Sequence, residues 1–416
     1  MSALAAILIK QGHKISGSDT AKNPQTIALK KMGCRIFLGH DAGNVPKNCE
    51  RIIINGAISD DNPELLEAIG RGLEIVDRAA LLSQIADAYE NVIAITGTHG
   101  KSTTTAMIGA IFRTAGLKPT IHNGAIEMNV HDPLGNLQAG ENKFFITEAC
   151  EFKKSFLTLK PTVAVITNIN EDHMDCYGTL DELKKSFKYF SNNAKITVIN
   201  ADCKNSTTIK DARRVSMLDI PKLEGNKARY KFQYDGMEIA LKIPGFHNIM
   251  NAMLAIRAAQ EFGIGNNVIK YALENFCGIQ RRFQDLGSVE DCRIIIDYAH
   301  HPVEIATTIK TANSLYDKYL LVFQPHTYTR TRNLFNEFVS VLENTNVCIY
   351  GTYAAREKPI MGARAKDLAD ATGKKHFFKK KLLVDYIGSQ CKNYDAIIFV
   401  GAGNIDNIAR EIVDKQ

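Results

Sequence analysis

Apolar positions along this chain fall into two kinds of block. Short runs of Val, Ile and Phe closed by Gly, Asn or Asp predict buried strands, and longer segments with one apolar face predict helices. From residue 1 to about 90, Ser2 to Gln11 reads as a helix and His13 to Asp19 as a strand ending in a polar turn. Asn23 to Met32 reads as a helix, Arg35 to Gly39 and Arg51 to Asn55 as strands, and Pro63 to Gly70 as a helix. This βα alternation predicts a parallel sheet. Such a unit opens on a strand and a glycine-rich turn, and neither precedes Ser2, so the sequence is expected to start late, at an internal Met.

A second series runs from about 91 to 281, with strands expected at Asn91 to Thr96, Lys143 to Glu148, Thr162 to Asn168 and Lys195 to Asn200. The polar stretch at roughly 201 to 242 has weak periodicity and predicts short antiparallel strands. Pro244-Gly245-Phe246-His247-Asn248 then opens a helix running to about Phe262. After Arg281-Arg282-Phe283 a third series begins, with strands at Arg293 to Tyr298, Tyr319 to Gln324, Val347 to Gly351 and Ala396 to Gly401. The fold class is α/β in three modules, 1–90, 91–281 and 282–416. The outer two are Rossmann-like, the first lacking its opening strand, and the middle one is a P-loop ATPase-type mixed sheet.

The middle module carries the clearest chemistry. Gly97-Thr98-His99-Gly100-Lys101-Ser102-Thr103 follows a predicted strand and leads into a helix with one apolar face. Strand, glycine turn and helix form the context in which backbone N–H groups and a helix dipole hold phosphate. Lys101 supplies an ammonium for the β/γ-phosphates, and Ser102 or Thr103 a hydroxyl for Mg²⁺. Only Thr98 and His99 separate the two glycines, where the usual loop has four residues.

Composition narrows the class without changing it. The 416 residues carry a net charge of +6 spread along the chain, with 45% hydrophobic and 23% charged residues. The Lys-rich stretch at 374–381 reads as a solvated surface, so no nucleic-acid partner is expected. No apolar run approaches a membrane span, so no membrane insertion is expected. Nine cysteines without CxxC pairs or zinc spacing fit reduced thiols in a cytoplasm.

Further polar clusters stand at predicted strand ends and helix starts. Glu148 closes a strand where a Mg²⁺ ligand belongs, and Glu151 lies close enough to support it. Asn168 to Asp175 gathers polar groups after another strand, among them His173, which reads either as a ligand for a second metal ion or as an acid-flanked surface histidine. Asn248 and Asn251 lie one turn apart on one helix face, beside His247, and suit a base or phosphate. Arg282 stands at a module junction, where it reads either as an interdomain salt bridge or as a clamp on transferring phosphate across a closing cleft. His300-His301-Pro302 has no elbow-type serine to serve as a hydrolase partner.

In this order, Gly97 to Ser102, the Glu148 strand, Asn168 to Asp175, His247-Asn248-x-x-Asn251, Arg281-Arg282-Phe283 and Asp297-Tyr298-Ala299-His300 resemble the Mur ligases, over essentially the whole chain. The resemblance implies an ATP-dependent amide-forming enzyme of peptidoglycan precursor synthesis. Phe323 to Thr331, Ala355-Arg356-Glu357-Lys358 and Gly401-Ala402-Gly403 are most similar to members that join L-alanine to UDP-N-acetylmuramate. Those members make an acyl phosphate from the lactyl carboxylate and ATP, and the alanine amine then expels phosphate.

By match to the family pattern, Gly97 to Thr103 with Asn248 and Asn251 would bind ATP, with Lys101 on the β/γ-phosphates. Ser102, Glu148 and His173 would hold Mg²⁺. Arg282 and Asp297 would link the two later modules on closure. Tyr298, His300 and Arg330 would bind the amino acid, while Ser18, Asp19 and His40 would face the UDP-sugar. Thr327 stands where many members carry a second arginine, and Cys150 where aspartate is usual. A sibling ligase that attaches a preformed peptide, an inactive nucleotide-binding paralogue and a P-loop GTPase or kinase-like switch stay open on the sequence.

Overall fold

The computed structural model describes residues 1–130, 134–172, 174–226 and 229–414. The chain forms two compact units, the first made of 1–221, 234–237 and 250–276, the second of 222–233, 238–249 and 277–416.

In the first unit, β1 (Ser16–Asp19) pairs with β2 (Arg35–Leu38), and β3 (Arg51–Ile54) with β4 (Glu74–Asp77), both parallel. The one parallel sheet expected here is thus two separate two-stranded sheets. Both line a cavity of about 1430 Å³ that also touches the helix Ser2–Lys10. Ile52–Ile54 of β3 remain half-buried, although their apolar run is typical of a strand covered on all sides. The strand Glu74–Asp77 and helix Arg78–Ala86 escape the sequence reading, because the first has a single buried residue, Val76.

The main sheet of this unit uses β5 (Asn91–Thr96), β6 (Thr120–His122), β7 (Leu137–Gln138), β8 (Phe144–Glu148), β9 (Val163–Ile166), β10 (Ile196–Asn200) and β11 (Arg213–Val215). Their order is β11-β10-β9-β5-β8-β6-β7, parallel except for β7. Arg213–Val215 therefore extends the parallel sheet, and antiparallel pairing starts only with β12 (Lys222–Asn226), β13 (Arg229–Tyr234) and β14 (Met237–Ala240). Val92–Ile95 are almost wholly buried, as expected of a central strand. Leu4, Ile7, Leu82 and Ile85 share one core with Phe145, Phe156 and Phe187, so residues 1–90 and the main sheet pack as one body.

The central place of β5 matters for chemistry. Its neighbours β8 and β9 are parallel to it, so the loops leaving all three strands emerge at one end. Consecutive strands in the chain do not neighbour each other there, and such switch points collect ligands.

In the second unit, β15 (Gln284–Val289) pairs antiparallel with β16 (Cys292–Asp297). The order continues through β20 (Ala396–Val400), β17 (Tyr319–Phe323), β18 (Val347–Tyr350) and β19 (Lys375–Phe377), all parallel. Apolar side chains fill both faces of the sheet, with Ile294, Val322 and Phe399 on one and Ile295, Phe323 and Ile398 on the other. The polar segments after Asp297, Phe323 and Val400 leave neighbouring strand ends together.

Candidate functional site

The loop Gly97–Gly100 joins β5 to the helix Lys101–Thr114. Gly97 has φ 130°, and a Cβ there would run into Thr167 Oγ1 and the Asn168 backbone. Gly100 has φ 81°, with Asn251 Oδ1 2.6 Å from where a Cβ would stand. Both positions require glycine for conformation and for space. The segment after β9 straps the loop down. Thr98 N–H donates to Asn168 O at 3.1 Å, His99 N–H to Asn168 Oδ1 at 2.9 Å, and Asn170 N–H to Thr98 Oγ1 at 2.9 Å.

Ser102 donates to Glu148 Oε2 at 2.7 Å, and the Gly124 N–H reaches the same oxygen at 3.0 Å. Thr103, the other hydroxyl considered, is buried in the helix. Lys101 Nζ lies 2.5 Å from Gly97 O, 3.2 Å from Thr98 O and 3.0 Å from Glu151 Oε2. Burial alone would lower the Lys101 ammonium; Glu151, with Cys150 and Glu148, overrides it and holds the group above the ordinary lysine range. Burial and Glu151 push the Cys150 thiol up to about 11, so it is no nucleophile at neutral pH.

Asn251 is buried against the loop, 3.3 Å from Thr104 Oγ1. Asn248 is buried too, and its amide donates to Pro244 O at 2.7 Å. His173 lies outside the described residues, as does its expected metal-binding role. Among the described residues no three His, Cys, Asp or Glu side chains gather as a metal cluster. A hard cation would find here the Ser102 and Glu148 oxygens, a donor set that suits Mg²⁺.

In the first 90 residues, Ser18 Oγ lies 2.9 Å from His40 Nδ1 and donates to Glu64 Oε2 at 2.7 Å. Asp19 instead turns to its own loop, accepting from Ala21 N–H at 3.1 Å and Asn23 Nδ2 at 3.3 Å. Glu64 joins Ser18, His40 and Asn44, whose amide it binds at 2.8 Å. Nothing local marks this role, since Glu64 reads as an ordinary acidic residue in the first turn of a helix.

The second unit brings the third group together at the ends of β16, β17 and β20. Asp297 accepts from Ala299 N–H at 3.1 Å and Thr308 Oγ1 at 3.0 Å. Burial nonetheless raises its carboxyl to about 6, against the opposing pull of Arg282. Arg282 and Arg281 both stack on the Tyr298 ring, at 5.3 and 4.7 Å from its centre. Arg282 is also 3.7 Å from Glu304, and Arg281 donates to Gly401 O and Gly403 O at 3.2 and 2.9 Å. Burial lowers the His300 imidazole to about 4 despite nearby Glu304. Neutral at pH 7, it donates from Nδ1 to Tyr298 O at 3.0 Å.

Arg330 reaches back one turn to His326 O at 3.0 Å. His326 in turn stacks on Tyr353 at 5.5 Å and meets His300 edge-on at 6.0 Å. Glu357 accepts from Thr327 Oγ1 at 2.6 Å and Thr329 N–H at 2.7 Å, which hold its carboxyl low although burial pulls the other way. Tyr298, His300 and Arg330 thus lie along one ring ladder. Arg281, His326, Tyr353 and Glu357 join them; all but Tyr353 lie in segments whose motif was legible but whose individual roles were not.

Three family models match the chain: the Mur ligase family catalytic domain over residues 1–90, the Mur ligase middle domain over 95–259, and the Mur ligase glutamate ligase domain over 281–403. The chain belongs to the Mur ligase family. Among its relatives, the UDP-N-acetylmuramate–L-alanine ligase of Caldicellulosiruptor saccharolyticus is 34% identical over 443 residues, covering 100% of this chain and 96% of that protein. The enzyme of the same name from Clostridium tetani is 36% identical over 432 residues, covering 97% and 93%. The crystal structure of the UDP-N-acetylmuramate–alanine ligase of Thermotoga maritima superposes with TM-score 0.83 at 28% identity, over 100% of this chain and 96% of that one. A murein peptide ligase from Psychrobacter arcticus shares the fold at TM-score 0.71 and 21% identity, over 100% and 96% of the two chains.

Proposed function

We propose that this chain is the ATP-dependent ligase that joins L-alanine to the lactyl carboxylate of UDP-N-acetylmuramate, in the cytoplasm, for peptidoglycan precursor synthesis. A carboxylate does not accept an amine, so the γ-phosphoryl of ATP is first transferred to it, releasing ADP. The alanine nitrogen attacks the resulting acyl phosphate, a tetrahedral intermediate forms, and phosphate leaves as the amide is made. Charge accumulates on phosphoryl and carboxyl oxygens, and cations must meet it.

In this reading the loop N–H groups and Lys101 hold the β/γ-phosphates. Ser102 and Glu148 hold Mg²⁺, which supplies Lewis-acid polarisation of the phosphoryl oxygens when bound; His173 is assigned to the metal by family pattern alone. Asn248 and Asn251 shape the nucleotide site. Ser18, Asp19 and His40 bind the UDP-sugar, with Glu64 orienting the first and last. Tyr298, His300 and Arg330 bind alanine, Arg330 as the cation for its carboxylate. Arg282 and Asp297 complete the site, and the modules run 1–90, 91–281 and 282–416.

The observation that carries the reading is the cluster of Lys101, Ser102 and Glu148 at the carboxyl ends of adjacent parallel strands. Identity to ligases named for L-alanine over nearly their full length favours that amine over a preformed peptide. Radiolabelled L-alanine supplied with ATP and UDP-N-acetylmuramate should enter a UDP-linked product. Incorporation of the tripeptide but not of alanine would assign the chain to the sibling activity instead.

A further inference from the structure

The phosphate-loop lysine has a partner that the reading above leaves without a task. Glu151 follows β8 by three residues, is 2% exposed, and brings both carboxylate oxygens to Lys101 Nζ, at 3.1 and 3.0 Å. Glu148 is engaged elsewhere, by Ser102 and the Gly124 N–H. The two glutamates of the Glu148-Ala149-Cys150-Glu151 segment therefore divide the loop, one serving the hydroxyl and the other the ammonium.

We propose that Glu151 is the positioning residue of Lys101, holding the ammonium toward the bound phosphates throughout the nucleotide cycle. An ammonium has three N–H donors. Here they meet Gly97 O at 2.5 Å, Glu151 and Thr98 O at 3.2 Å. An arriving phosphate must take one of these places, and the long contact to Thr98 O is the weakest. The Gly97 and Glu151 contacts then remain and fix the direction of the side chain.

Glu151 is itself held in place. The buried Tyr177 hydroxyl donates to its backbone carbonyl at 2.5 Å, which ties Glu151 to the helix Met174–Tyr177. A buried carboxylate stripped of its counter-ion is costly, so Lys101 and Glu151 depend on each other. This inference adds to the proposed ligase activity but is read from nucleotide binding, which does not require that activity.

The test is a double-mutant cycle on ADP affinity by calorimetry, with Lys101→Met, Glu151→Gln and both together. Glu151→Gln should weaken ADP about tenfold in the native background and less than twofold beside Lys101→Met. Equal weakening in both backgrounds would overturn the proposal. Melting temperatures give a second reading, since Glu151→Gln should restore stability that Lys101→Met loses. A double variant less stable than Lys101→Met would also overturn it. In turnover, Glu151→Gln should lower kcat at least tenfold with the KM for alanine unchanged, and Glu151→Asp should regain part of it. Absence of ligation by the native chain, with coupling intact in ADP binding, would sink the ligase reading alone.

Discussion

Ser102 Oγ and Glu148 Oε2 lie 2.7 Å apart although 46 residues separate them in sequence. The pairing of β5 with β8 creates this meeting: Glu148 is the last residue of β8, and Ser102 lies in the first turn of the helix after β5. Two hard oxygens at one helix N-terminus are what a phosphate-bound divalent cation requires. Glu148→Gln keeps the hydrogen bond and removes the charge. It should lower alanine-dependent ADP formation by roughly 10²–10³-fold with the circular-dichroism spectrum unchanged. Retention of native turnover would remove Glu148 from the metal site.

Gly100 tests the loop by sterics rather than charge. Alanine there must adopt φ 81° and push aside Asn251 Oδ1, 2.6 Å from the new Cβ. Gly100→Ala should destabilise the fold by about 1–3 kcal/mol and weaken ADP binding. Thermal melts with and without ADP measure both.

Arg330 is the proposed cation for the amino-acid carboxylate. Arg330→Ala should raise the KM for L-alanine about tenfold or more while leaving the KM for ATP near native. An unchanged KM for alanine would take Arg330 out of the pocket.

Asp297 and His300 make opposite contributions to pH-dependent stability. Burial raises Asp297 from 3.8 to about 6 in the folded state, so its contribution is greatest when protonated and is lost as pH rises from about 4 to 6. Burial lowers His300 from 6.5 to about 4, so its contribution is present above 6.5 and is lost as pH falls toward 4. In the native chain the two largely offset each other over pH 4–6. His300→Asn should therefore leave a melting temperature that falls as pH rises through this window. Asp297→Asn should leave one that falls as pH drops. Identical pH profiles for both variants would contradict these assignments.

Local pattern made much of this readable. Val92–Ile95 and Ile397–Val400 are apolar runs of the length a buried parallel strand needs, and the structure buries them. The phosphate loop was legible because its chemistry is contiguous. Glu64 was not, since its role comes from a helix that meets the ends of β1 and β2, and nothing local marks it. The strands Thr120–His122 and Lys375–Phe377 were missed because each has three residues and owes its conformation to a neighbour, not to its own pattern. Sequence spacing suggests Glu151 as a supporting residue for the metal but does not show its partner; the chain turns after Glu148 and brings the Glu151 carboxylate to Lys101.

The acyl phosphate is the step on which the whole reading turns. UDP-N-acetylmuramate labelled with oxygen-18 in its lactyl carboxylate, incubated with ATP, Mg²⁺ and L-alanine, reports it through the inorganic phosphate released. The predicted result is one labelled oxygen in each phosphate, formed only when alanine is present. Unlabelled phosphate, or phosphate released without alanine, would contradict it.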